Sequence, residues 1–191
     1  MLLMAIPNLL LAQKVDSAAL RSHQLYYWGA FNLGGGWGAV GRSEGTGISY
    51  GLSATALYDH NFIRIKAAGS QSFDNMLTLI GSKTGSNYKN YDLLFGRQFP
   101  FGPRESFSLA TGVAHLKYHS EDIEDIAGST PLEYTNNGIP IEITFMHSSN
   151  SFLGGTLSFE LIFNNKNTMG NVTIGIMLGR IREKIVKDKK P

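Results

Sequence analysis

Ile48-Ser49-Tyr50-Gly51-Leu52-Ser53-Ala54-Thr55-Ala56 alternates without a break between apolar residues and small or polar ones. Successive side chains of a β-strand point to opposite faces. One face of this stretch therefore reads Ile, Tyr, Leu, Ala, Ala and the other Ser, Gly, Ser, Thr. The same division recurs in eight stretches between about Tyr26 and Arg182. Branched and aromatic residues gather on one side of each stretch, whereas Arg64, Lys66, Asp92, Glu142 and Glu160 fall on the other. A greasy face on every strand, backed by a face that carries the charges, is the pattern of a barrel standing in lipid around a polar interior. The fold expected is all-β: an eight-stranded antiparallel up-and-down transmembrane β-barrel.

The periodicity places strands at about Tyr26–Val40, Ile48–Tyr58, Phe62–Gly69, Tyr88–Arg97, Ser106–Tyr118, Gly138–Met146, Phe152–Phe163 and Asn171–Arg182. Asp59-His60-Asn61, the two-proline stretch Phe99–Pro103 and His147–Ser151 read as tight turns. Between them lie looser connections at Gly41–Gly47, Ser70–Asn87, His119–Asn137 and Asn164–Gly170, the middle two much the longest. Short turns at one end and longer loops at the other are the layout of an outer-membrane barrel with both termini in the periplasm. Rings are expected at both lipid–water boundaries. Tyr26, Tyr27, Trp28, Tyr58, Phe62, Phe99, Phe101, Phe107, Phe145 and Phe152 stand at the turn end, with Trp37, Tyr50, Tyr88, Tyr118 and Phe163 toward the other.

Composition agrees. In 191 residues no run of 18 apolar residues occurs, which excludes transmembrane helices. The net charge of +2 gives no case for nucleic acid, and the absence of cysteine removes disulfides and thiolate metal sites. Residues 1–12, MLLMAIPNLLLA, resemble the apolar part of a secretory signal that ends at Ala12. Residues 13–25 then form a periplasmic N-terminal segment, 26–182 the barrel and 183–191 a basic C-terminal tail.

In strand number, strand length and alternation of turns and loops, the chain resembles the small eight-stranded bacterial outer-membrane barrels of the OmpA transmembrane-domain and OmpX type. It departs from them in running past Gly179 into a basic tail. The resemblance rests on pattern and topology and carries over no functional residue. It implies a bacterial outer-membrane location. The partners it implies are outer-membrane lipid and lipopolysaccharide, the barrel-assembly machinery and periplasmic chaperones. No cofactor or metal is expected, and the role implied is non-enzymatic, in envelope structure or surface interaction through the loops.

Two other readings share the alternation. A soluble lipocalin-like barrel would turn the greasy faces inward around a small apolar ligand and leave the charges in water. A lipid A deacylase-like enzyme would use His147 and Ser149, in the sequence His147-Ser148-Ser149-Asn150, with Glu160 as the downstream acid. In a membrane barrel, however, a cation facing lipid at mid-depth costs roughly 2–4 kcal/mol, so Arg64 and Lys66 must point inward. The interior of eight strands is just wide enough to be filled by side chains. Arg64 and Lys66 are therefore expected to pair with Asp92, Glu142 and Glu160 in a plugged lumen. Elsewhere, His115 and His119 lack a metal-ligand pattern, and the acidic run Glu121–Asp125 reads as a solvated loop.

Overall fold

The structure, a computed structural model, describes residues 25–40, 43–72, 86–120, 132–165 and 168–181. The expected signal segment, nearly all of the N-terminal segment, the acidic run and the basic tail lie outside the described residues. Eight strands follow in order: β1 Leu25–Val40, β2 Ser43–Tyr58, β3 Asn61–Ser72, β4 Ser86–Pro100, β5 Glu105–Ser120, β6 Leu132–Ser148, β7 Leu153–Asn164 and β8 Thr168–Arg180. Each pairs antiparallel with the next, and β1 also pairs with β8 from Tyr27↔Arg180 to Gly38↔Met169, closing the cylinder. Closure leaves no strand edge to template association with another chain.

The strands reach further toward the loop end than the alternation implied. Ser43–Gly47 continues β2 opposite Gly36–Val40, and Leu132–Asn137 continues β6 opposite His115–Ser120. The expected loop at Gly41–Gly47 thus shrinks to residues 41–42, and that at Asn164–Gly170 to 165–167. Of the two long connections, 73–85 and 121–131 lie outside the described residues.

At the opposite end the turns are tight. Tyr58 pairs with Asn61 across Asp59 and His60, whose φ angles are 46° and 72°. Positive φ at both central residues marks the turn type whose twist matches that of the flanking strands, and it favours Asn-Gly. Asp59→Asn with His60→Gly is expected to stabilise the barrel by about 1 kcal/mol, measured as a rise in the urea midpoint of unfolding in vesicles.

Pro140 lies within β6, buried toward the lumen, and has no N–H to give to β5. Pairing with β5 is recorded at Thr111↔Ile141 and Ala114↔Gly138 but not between them. Thr111, on the outer wall, donates its hydroxyl to the Pro140 carbonyl at 2.9 Å, so no bare hydroxyl faces outward there. Gly112 occupies the same gap. A Cβ on it would collide with the Leu93 carbonyl oxygen and lie 3.0 Å from Leu94 Cα, so only glycine fits.

The direction of the faces separates the two barrels open from sequence. Ile63, Ile65, Leu93, Phe95, Ile141, Ile143, Phe159 and Ile174 are all exposed on the outer wall. Arg64, Asp92, Glu142 and Glu160 are all buried within. A lipocalin-like arrangement needs the reverse and is excluded.

Candidate functional site: the lumen and the two rims

The lumen is built in three layers. At the turn end Trp28, Leu57, Phe62, Leu94, Met146 and Met177 form an apolar plug. At the loop end Tyr88, Ala114, Leu116, Tyr118, Ile162 and Met169 form a second. The expected plug of paired charges is thus one part of the filling: the polar groups make a belt between two apolar plugs. Four rings assigned to the lipid boundaries, Trp28, Phe62, Tyr88 and Tyr118, are buried inside and belong to those plugs.

The belt follows from strands on opposite sides of the cylinder delivering opposite charges to one small space. Arg64 on β3 is paired through its guanidinium with Glu142 Oε1 on β6, across the barrel. Lys66 Nζ lies 3.1 Å from Glu142 Oε2 and 2.6 Å from Glu160 Oε1 on β7. Neutral groups complete the network. Arg64 Nε donates to Thr55 Oγ1 at 2.9 Å, and Thr144 Oγ1 donates to Glu142 Oε1 at 3.1 Å. Asn171 Nδ2 donates to Glu160 Oε2 at 3.0 Å, while Asn171 Oδ1 accepts from Ser49 Oγ at 2.8 Å and from the Tyr88 hydroxyl. A cavity of about 10 Å³ between Trp28, Arg64, Glu142, Thr144 and Ser158 has room for about one water.

Asp92 departs from the expected pairing. Its carboxylate is buried in the same lumen and takes the Asn90 amide at 2.7 Å, but its Oδ1 has no hydrogen-bond partner. Among the described residues no cation pairs with it. Although Lys66 is its register neighbour on β3, the ammonium is drawn across the lumen to two carboxylates. Tyr88, Ser49, Thr55, Thr144, Ser158 and Asn171 were not singled out from sequence as network members. Strand parity was the signal available, since each shares a face with an inward charge or hydroxyl.

The residues of the enzyme reading do not converge. His147 is exposed on the outer side of the wall near the turn end, with Nδ1 3.1 Å from Glu105 Oε1. Glu160 is inside, committed to Lys66 and Asn171. His115 and His119 point outward, where their Nδ1 atoms meet Asn137 Oδ1 at 3.0 Å and Glu133 Oε1 at 2.9 Å. Among the described residues no group of three or more His, Asp or Glu is placed to hold a metal.

Rings do mark both rims of the outer wall. At the turn end Phe99 stacks on Phe107 with centroids 4.9 Å apart, and Phe101 and Phe145 each lie 6.4 Å from Phe107. At the loop end Trp37 and Tyr50 are exposed. The Trp37 ring lies over Gly170 and the Tyr50 ring over Gly69, each covering backbone that has no side chain of its own.

A closed eight-stranded cylinder with branched and aromatic side chains outward, charges inward and rings at both rims has the architecture of the small outer-membrane class of β-barrel. Solved structures of that class share its fold. Neisserial surface protein A superimposes with a TM-score of 0.65 at 8% identity, over 80% of this chain and 96% of that one. Ail, the attachment invasion locus protein of Yersinia pestis, in complex with the heparin analogue sucrose octasulfate, gives 0.60 at 10% identity, over 82% and 99%. The N-terminal β-barrel domain of Pseudomonas aeruginosa OprF gives 0.50 at 10% identity, over 78% and 96%. No family model and no curated protein matches the sequence.

Proposed function

We propose that this is a sealed, non-enzymatic barrel of the bacterial outer membrane that serves envelope structure or surface contact. In this reading the tight turns and both termini face the periplasm, and connections 73–85 and 121–131 face outward. The observation that carries it is the combination of an apolar outer wall with a lumen that holds a polar belt between two apolar plugs. Hydrated ions need a continuous wet path, and a space for about one water between two apolar plugs offers none. The separation of His147 from Glu160 argues against the deacylase chemistry that their sequence positions suggested.

Fractionation tests the location. The protein is expected to stay with outer membranes through a carbonate wash and to migrate differently on a gel before and after boiling. Release by carbonate, or identical migration, would overturn the reading. In planar bilayers the purified barrel is expected to show no steady ion current, and a stable conductance step would contradict the sealed lumen.

A further inference from the structure

On the outer wall near the loop end, Lys89 on β4 stands directly opposite Lys117 on β5. Both are exposed and share a strand parity with outward residues, Lys89 with Tyr91 and Lys117 with Val113. Side chains so placed have Cβ atoms about 5 Å apart, and like charges in that position repel. Among the described residues no carboxylate pairs with either ammonium. The nearest outward acid in the register, Glu133, is taken by His119 instead. Nothing in the wall itself therefore explains why two cations face each other.

Their height on the wall does suggest a reason. The register continues the row on both sides: Gly69 beneath the Tyr50 ring flanks Lys89, and the exposed Thr135 flanks Lys117. Tyr91 and His115 occupy the next outward-facing row toward the apolar band, so the lysines stand about 7 Å beyond Tyr91 along the strands. Rings of this kind sit at the boundary between hydrocarbon and headgroups. From the row beyond Tyr91, a long lysine side chain reaches the depth of lipid phosphates. A phosphate placed between two ammonium groups would accept a charge-assisted hydrogen bond from each and turn their repulsion into attraction.

Resting on the outer-membrane reading above, we infer that Lys89 and Lys117 form a site for the phosphate group of an outer-leaflet lipid, with Thr135 and Tyr50 at its sides. Two ammonium groups at a charged surface contribute about thirtyfold in affinity together.

The test uses the full chain refolded into phosphatidylcholine vesicles that carry an increasing share of bisphosphorylated lipid A. The readout is the lipid fraction giving half of the rise in the urea midpoint of unfolding. Lys89→Gln with Lys117→Gln is expected to raise that fraction about thirtyfold, and Lys89→Arg with Lys117→Arg to restore it. Lipid A stripped of phosphate is expected to give no rise. Equal saturation of wild type and the glutamine variant would overturn the inference, as would an equal rise from inorganic phosphate alone. A chain that carbonate strips from the vesicles defeats the outer-membrane reading. A firmly inserted chain with no dependence on phosphate defeats this inference alone.

Discussion

Glu142→Ala is expected to lower the stability of the barrel by about 3–5 kcal/mol, read from urea unfolding in vesicles by tryptophan fluorescence. Glu142 is 2% exposed and is the carboxylate shared by Arg64 and Lys66. Its loss leaves Lys66 with Glu160 but strips Arg64 of its only charged partner among the described residues. The guanidinium keeps the hydroxyls of Thr55 and Thr144, which do not neutralise it. Taking a charge out of water costs several kcal/mol, and the opposite charge offsets that cost only while it is present. The informative contrast is Arg64→Met with Glu142→Leu. Removing both charges and filling the space with apolar atoms is expected to cost far less than the single change, because no uncompensated ion remains. A loss below about 1 kcal/mol for Glu142→Ala, the size of an exposed ion pair, would mean that water reaches the belt.

Ile65→Arg is expected to cost about 2–4 kcal/mol in a bilayer. On a water-soluble protein the same change would pass almost unnoticed. Ile65 is 60% exposed, and substitutions at such a position stay within about 0.5 kcal/mol when the surroundings are water. The difference arises because Ile65 faces outward between Ala54 and Leu93, in the middle of the apolar wall. Gln71→Arg, on the same strand and face but close to its loop end, is expected to cost no more than about 1 kcal/mol, since a cation at the boundary reaches water. A flat profile along β3, with the two arginines equally tolerated, would show that no hydrocarbon touches this wall.

The outer wall was legible in the sequence because lipid enforces it residue by residue. Ile48–Ala56 could be read directly, and its parity holds in the structure: Tyr50 and Leu52 are exposed, whereas Ser49 and Thr55 are buried. Strand ends were harder. Ser43–Gly47 carries no apolar alternation and Leu132–Asn137 only the brief Leu132 and Tyr134, yet both are strand. Outside the hydrocarbon the backbone ladder continues while the demand for an apolar face ends, so the pattern stops before the strand does. Trp28, Phe62, Tyr88 and Tyr118 were misplaced for a different reason. Parity sets Tyr88 with Asn90 and Asp92, and Phe62 with Arg64, so the alternation already pointed them inward. Their aromatic character suggested the membrane boundary, but rings also close the ends of a lumen. The partner chosen by Lys66 was not legible at all. Sequence shows which residues enter the lumen, whereas the reach of Lys66 to Glu160 rather than its register neighbour Asp92 depends on distances across the cylinder.

Because the chain has no cysteine, single cysteines can report on each position separately. The most direct measurement attaches a nitroxide at each residue from Leu52 to Ala56 in turn, in the vesicle-inserted protein, and compares collisions with oxygen and with a polar nickel chelate. Positions 52, 54 and 56 are expected to meet oxygen freely and the chelate hardly at all, with positions 53 and 55 shielded from both. Free access of the chelate to 52, 54 and 56 would place that face in water and contradict the lipid-facing wall.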